Sequence, residues 1–242
     1  MGIPIIDTMT DGFKRTTTRN GLRFVAVFAI LSIASVLLSP MRLDAGEPVV
    51  PTVGFGGAFA GLLSIIVAIA TVVAAIVALR TFAAGETETI PDAFVRRNVG
   101  WATLNVILGG IAFGLIVAFG TVLFVVPGLF LLVSLYYWAV FVAVEDQNAL
   151  EGFRSSWQLT RGNRLRLFGL GVAVFVTGAV VTAAFALPVA LLGIVGGVLA
   201  QVVSATITVY VLATTVSAYE QLRDGGPGER PDTQPTVPGT PA

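Results

Sequence analysis

The sequence contains no cysteine and no histidine among its 242 residues. Without cysteine, disulfides, iron–sulfur clusters and thiol nucleophiles are excluded. Without histidine, the commonest general base and the commonest transition-metal ligand are missing. We therefore predict a protein that is not an enzyme, with no catalytic residues, no cofactor and no metal site.

Charged residues are also scarce. They make up 12% of the chain, whereas 55% is hydrophobic; soluble domains carry about 25% charged residues. The formal net charge is zero, and no nucleic acid is predicted as a partner. Since a membrane-spanning helix needs about 20 apolar residues, this composition predicts an all-α integral membrane bundle.

Four stretches without charge hold the apolar residues, at 24–41, 49–79, 98–144 and 167–219. The first two have room for one span each. Pro127-Gly128 divides the third, and Pro188 with the glycines from Gly193 onward divides the fourth. Proline and glycine are typical of helix ends and turns. The resulting prediction is six transmembrane helices, the last four at 100–125, 129–144, 167–187 and 198–219.

The basic residues support this count. All 14 Lys and Arg residues except Arg42 lie in segments 1–23, 80–97, 145–166 and 220–242, which six spans place on one side of the membrane. Positive residues mark the cytoplasmic side, so we predict that both termini are cytoplasmic. No ionisable residue lies in the core of a predicted span, which argues against an ion-coupled pump.

Three cytoplasmic segments resemble one another, beginning at Thr8, Thr89 and Asn148. Each has a capping residue, an acid three positions later and a phenylalanine two positions after that. This pattern predicts up to three short interfacial amphipathic helices that start at the capping residues. It indicates a possible threefold parallel helical-hairpin repeat at 8–80, 89–146 and 148–222, within a membrane domain at 1–222. A disordered cytoplasmic tail follows at 223–242. Alternatively, any helix start before a span attracts such residues.

The third segment is the clearest amphipathic helix. Leu150, Phe153, Trp157 and Thr160 fall on one helical face at spacings of three and four residues. Such a helix is expected to lie in the headgroup plane with its apolar face down.

Four arginines in and after this segment are candidate lipid-headgroup residues: Arg154, Arg161, Arg164 and Arg166. Basic residues near a membrane surface attract anionic headgroups, at about 1 kcal/mol each. Alternatively, they serve only to set the orientation of the spans.

The sixth span carries a polar intramembrane face formed by Gln201, Ser204, Thr208 and Thr215. It could line a polar path between helices, although such residues more often hydrogen-bond between helices. Three aromatic residues, Tyr136, Tyr137 and Trp138, lie near the middle of the fourth span, where they either contact a substrate or pack in the interior.

Residues 126–166 resemble a known family. The resemblance is carried by VPG at 126–128, Glu145, ALEGF at 149–153, SWQLTRGN at 156–163 and Arg166. This pattern is similar to the multi-pass membrane domain attached to some prokaryotic glycerophosphodiester phosphodiesterases and to stand-alone membrane relatives. The resemblance implies a prokaryotic plasma membrane protein with a link to lipid metabolism. It does not imply diesterase activity, because that chemistry resides in a separate soluble barrel.

Together these features favour a non-enzymatic, uncharacterised membrane module that interacts with membrane lipids or assists an unknown membrane protein. The alternative is a carrier for a small neutral solute or a lipid, which would use the polar face of the sixth span. The sequence leaves the oligomeric state open.

Overall fold

The computed structural model describes residues 4–38 and 55–224, the side chains of 55–58 excepted. These residues form helices and no strand, which confirms the all-α class. In chain order the helices are α1 (Ile5–Thr17), α2 (Arg19–Leu38), α3 (Phe55–Ala83), α4 (Asp92–Arg96), α5 (Val99–Leu123), α6 (Val125–Leu135), α7 (Trp138–Glu145), α8 (Ala149–Leu159), α9 (Arg164–Leu191) and α10 (Gly193–Asp224).

Six helical segments of the described chain are long and apolar enough to cross a membrane, as predicted. They are α2, α3, α5, the α6–α7 pair, α9 and α10. The helix α10 continues to Asp224; the rest of the predicted tail, residues 225–242, lies outside the described part.

The third and fourth spans are joined three residues earlier than predicted. The break falls at Phe124, which has an extended backbone, and α6 begins at Val125. Pro127 therefore lies in the first turn of α6, where its missing N–H has no intrahelical acceptor to lose. Gly128 permits close contact with α5, because a Cβ there would lie 2.7 Å from the backbone of Thr121.

The fifth and sixth spans meet at Gly193 rather than at Pro188. Pro188 lies inside α9, which continues to Leu191. Gly193 has a φ of +53°, a left-handed conformation that glycine adopts at little cost. The turn is therefore sharp, and α10 starts at Gly193 rather than at the predicted residue 198.

Of the three short helices predicted at the membrane surface, only α8 begins at the predicted residue. There the side chain of Asn148 accepts a hydrogen bond from the Glu151 N–H at 2.9 Å, and Glu151 accepts one from the Asn148 N–H at 3.2 Å. In contrast, α1 begins at Ile5, so Thr8 is inside the helix and donates to the Pro4 carbonyl. The helix α4 begins at Asp92 rather than at Thr89. In both, a proline occupies the position before the helix, where its fixed φ favours helix initiation.

The helix α8 packs against the fourth span with a face that includes Phe153 and Thr160 of the predicted apolar face, but not Leu150. Gly152, Phe153, Ser156 and Thr160 are buried, whereas Leu150 is 71% exposed. The Ser156 hydroxyl accepts from the Tyr137 N–H and donates to the Ser134 carbonyl, at 3.1 and 3.0 Å. The Tyr137 N–H and the Ser134 carbonyl lie where α6 ends and α7 begins, so the regular helical hydrogen bonds are interrupted there. Ser156 supplies the missing partners, and this interruption in the span therefore determines which face of α8 packs against it.

Candidate functional site

An ion-pair cluster connects the ends of α1, α3, α7 and α10. Its arginine–carboxylate pairs are Arg80 with Asp146, Arg15 with Glu220, and Arg223 with Glu145. We call this set the ion-pair cluster.

Arg80, in the last turn of α3, is the most buried cation of these pairs, with 3% of its side chain exposed. It donates to Asp146 at 2.9 Å and to the Ala143 carbonyl at 2.6 Å. It also donates to the carbonyls of Phe94 and Arg97, at 3.0 and 2.6 Å. The carbonyls at helix ends have no intrahelical donor, so one guanidinium satisfies the ends of both α4 and α7.

Arg15 attaches α1 to the bundle. Its guanidinium donates to both carboxylate oxygens of Glu220, at 3.1 and 2.6 Å, and to the Phe82 carbonyl at 2.8 Å. Burial alone lowers the pKa of Arg15, but the hydrogen bonds and charges of Glu220 and Asp11 outweigh that effect, and its pKa lies above the usual value. Arg15 therefore stays charged at every physiological pH, and the pair has a structural role.

Glu145 and Asp146, a candidate carboxylate pair by sequence, are both bound to other side chains. Glu145 accepts from the Tyr219 hydroxyl at 2.5 Å and from Arg223 at 2.8 Å. Asp146 adopts a φ of +54° and binds Arg97 in addition to Arg80. Through these contacts both carboxylates hold the end of α7 against α3 and α10.

Arg164, one of the four candidate arginines, is bound differently. Its guanidinium carbon lies 4.5 Å from the centre of the Phe130 ring and 4.2 Å from that of Trp157. The two ring centres are 5.5 Å apart and the rings meet edge to face, so they lie on adjacent sides of the guanidinium; we call them the aromatic pair. Arg154, Arg161 and Arg166 are exposed, so the structure separates Arg164 from the other three.

A cleft of about 920 Å³ lies between α6, α9 and α10. Residues 129–137, 167–186 and 207–215 contribute its lining, which is mostly apolar. We call it the cleft. Its volume falls within the roughly 300–1,000 Å³ of small-molecule sites. Phe175 in its wall is 75% exposed, so the cleft opens onto the apolar surface of the bundle.

One hydrogen bond spans the cleft wall. The hydroxyls of Tyr136 on α6 and Thr215 on α10 are 3.2 Å apart. Both residues were singled out from the sequence for different reasons, and the fold brings them together. The rest of the predicted polar face is not part of the cleft: Ser204 and Thr208 are exposed, and Thr208 donates to the Ser204 carbonyl of its own helix. Gln201 is half-buried and also lies outside the cleft lining.

Sequence reasoning missed the cleft and the partners of Arg80. A basic residue at the end of a long apolar run signals a membrane boundary, but it gives no information about what it binds. The cleft results from loose packing of α9, in which only Leu167 and Leu170 are buried.

The comparisons with known proteins add a family and no activity. A family model described as a domain of unknown function (DUF7847) matches residues 3–222. No curated protein and no solved structure matches the chain.

Proposed function

Because the chain belongs to the family of domains of unknown function DUF7847, we propose a function from the geometry: it is a non-enzymatic, multi-pass membrane module that takes a membrane lipid into the cleft. The observation that carries this proposal is the cleft itself, apolar along its length and open to the surface that faces the bilayer. Removing apolar surface from water does not drive binding inside a bilayer, so an acyl chain would be held by van der Waals contacts and shape.

The cleft is long enough to hold an acyl chain. Its wall on α9 runs over residues 167–186, which at 1.5 Å per residue is about 28 Å. The hydrocarbon core of a bilayer is about 30 Å thick, or about 15 Å for each leaflet. The chains of a lipid from one leaflet would therefore occupy about half the length of the cleft.

The non-enzymatic part of the proposal is supported by how the carboxylates are used. Glu145 and Asp146 are bound to arginines in the ion-pair cluster, and a general acid or base needs an accessible group.

We propose the plasma membrane of a prokaryotic cell as the location, with both termini cytoplasmic. The asymmetry of the basic residues supports the orientation, and the resemblance to the phosphodiesterase-linked membrane domain supports the cell type. On that resemblance we also propose a role in glycerophospholipid metabolism, without diesterase activity. Reporter fusions at each terminus test the orientation; a periplasmic signal from either would contradict it.

A cleft-filling variant tests lipid binding. A Cβ at Gly171 would meet nothing within 4 Å, so Gly171→Leu can extend into the cleft without displacing a neighbour. Native mass spectrometry of the protein in mild detergent should then show less retained lipid than the unmodified protein. Gly110→Leu is the matched control, because Gly110 on α5 is equally open and lies outside the cleft. Equal retention by the two variants would contradict the proposal.

A lipid carrier is the second candidate, favoured by the span of the cleft across most of the hydrocarbon core. Proteoliposomes would then transfer a labelled lipid between leaflets faster than empty vesicles, and Gly171→Leu would slow that transfer. Loss of transfer in Gln201→Leu with Thr208→Leu, and not in Gly171→Leu, would instead favour a path along the polar face of α10.

A further inference from the structure

We propose that the lipid held in the cleft is an anionic phospholipid, and that Arg164 binds its phosphate. This inference rests on the proposed function and adds the class of headgroup and the residue that recognises it.

Arg164 lies at one end of the cleft. It is one helical turn before Leu167 and Phe168, the first residues of α9 in the cleft lining. Residues three and four apart on a helix share a face, so Arg164 lies on the side of α9 that borders the cleft. Arg164 is not itself a lining residue, but it contacts Phe130, which lies on α6 beside the lining residue Leu129.

The charge of Arg164 is not matched within the described part of the chain. Arg15, Arg80 and Arg223 each pair with a carboxylate, whereas Arg164, which is half-buried, has none among the described residues. Its Nε is buried without a hydrogen-bond acceptor, and its one bond is a 3.4 Å contact with the Trp157 carbonyl. A partly desolvated cation of this kind favours an anionic ligand.

The aromatic pair holds the guanidinium without neutralising it. The two ring centres lie 4.5 and 4.2 Å from its carbon and on adjacent sides of it, close enough for cation–π attraction. The donors of a guanidinium lie in its plane and form a fork that matches the oxygens of a phosphate. A phosphate approaching along the edge, with its acyl chain in the cleft, would use both features.

Competition between lipids tests the preference for an anionic headgroup and needs no protein variant. The full chain is reconstituted in vesicles of equal phosphatidylglycerol and phosphatidylcholine, extracted in mild detergent, and the retained lipids are quantified by native mass spectrometry. We expect enrichment of phosphatidylglycerol over the vesicle ratio. Retention in the vesicle ratio would overturn the headgroup assignment while leaving the lipid-binding proposal intact.

Substitution then assigns the preference to Arg164. Arg164→Gln should lower the ratio of anionic to zwitterionic lipid by about tenfold, as expected for the loss of a charge-assisted hydrogen bond to a phosphate, with total retained lipid unchanged. Arg96→Gln is the matched control: it removes the same charge from an exposed position at the end of α4, outside the cleft. Equal ratios in the two variants would overturn the role of Arg164.

Two further arms keep the result interpretable. Arg164→Lys keeps the charge and loses the planar fork, so its ratio should fall between those of the unmodified protein and Arg164→Gln; it also serves if the latter does not fold. Inorganic phosphate added during extraction should not displace the lipid. Displacement of lipid by free phosphate, with phosphate retained in its place, would assign the site to the free ion and overturn the lipid headgroup.

Discussion

The ion-pair cluster and the cleft differ in whether their arginines have carboxylate partners. In the cluster, Arg80 is buried and its charge is matched by Asp146 and helix-end carbonyls. Near the end of the cleft, Arg164 lies against the aromatic pair, with no carboxylate partner among the described residues. In the ion-pair cluster every arginine has a partner within the protein, and these contacts hold the helices together. The site beside the cleft lacks an anion among the described residues, which is why we assign binding to the cleft and stability to the cluster.

The largest expected effect comes from breaking the cluster at Arg80. Arg80→Met should destabilise the protein by about 3–5 kcal/mol, because it leaves Asp146 and several carbonyls without their buried partner. Thermal unfolding in detergent measures this. Arg80→Lys should recover little, since a single ammonium cannot reach four acceptors.

Arg96→Met is the control for this change, because Arg96 is exposed at the end of a short helix. If both substitutions lower stability equally, Arg80 has no special role in holding the spans together.

A smaller effect is expected where α1 crosses α10. A Cβ at Gly12 would lie 2.9 Å from the Thr214 Cα and closer still to its hydroxyl, so Gly12→Ala forces the two helices apart. Such overpacking costs about 1–3 kcal/mol. Gly169→Ala is matched to it, because its Cβ would make only an ordinary 3.4 Å contact with Ile5 of α1. A stable Gly12→Ala variant, with unfolding like that of Gly169→Ala, would contradict the close packing of α1.

The pair Arg15–Glu220 should contribute less than Arg80, because both side chains are partly exposed, at 22% and 33%. A double-mutant cycle with Arg15→Gln and Glu220→Gln should give a coupling energy of about 1–2 kcal/mol, typical of hydrogen bonds between charged groups. A coupling near zero would mean that α1 is held by its packing alone.

The smallest effect is expected in the cleft. Tyr136→Phe removes the hydrogen bond to Thr215, and hydrogen bonds between membrane helices contribute about 0.6 kcal/mol on average. Unfolding of Tyr136→Phe, Thr215→Val and the double variant measures the coupling. A loss of several kcal/mol would show that the cleft wall is as strongly fixed as the ion-pair cluster, and would remove the contrast between them.

The number of spans could be predicted because it depends on local information. Stretches such as 98–144 are too long for one helix, and their division requires only that a turn be present. The position of the turn was less certain: Pro127 can end a helix or begin one, and the extended backbone at Phe124 has no comparable signal. In α8 the capping residues Asn148 and Glu151 were sufficient, because both lie within four residues.

The sites could be predicted only in part, because they depend on residues far apart in the sequence. Arg164 was a candidate as one of four arginines, yet its distinction comes from Phe130, which belongs to another helix. Likewise, Asp146 is 66 residues from Arg80. A cleft is a region that neighbouring helices do not fill, and no local pattern in α9 records that.

The turn at Gly193 has a consequence for selectivity among lipids. The helix α9 is joined to α10 by this sharp turn, and the buried part of α9 is confined to Leu167 and Leu170 at the opposite end. One wall of the cleft is therefore anchored at its ends and weakly packed between them, so its width can adjust at small cost. A wall of this kind discriminates poorly between saturated and unsaturated chains, or between long and short ones. The protein should accordingly accept lipids with many acyl-chain compositions and select among them by their headgroup.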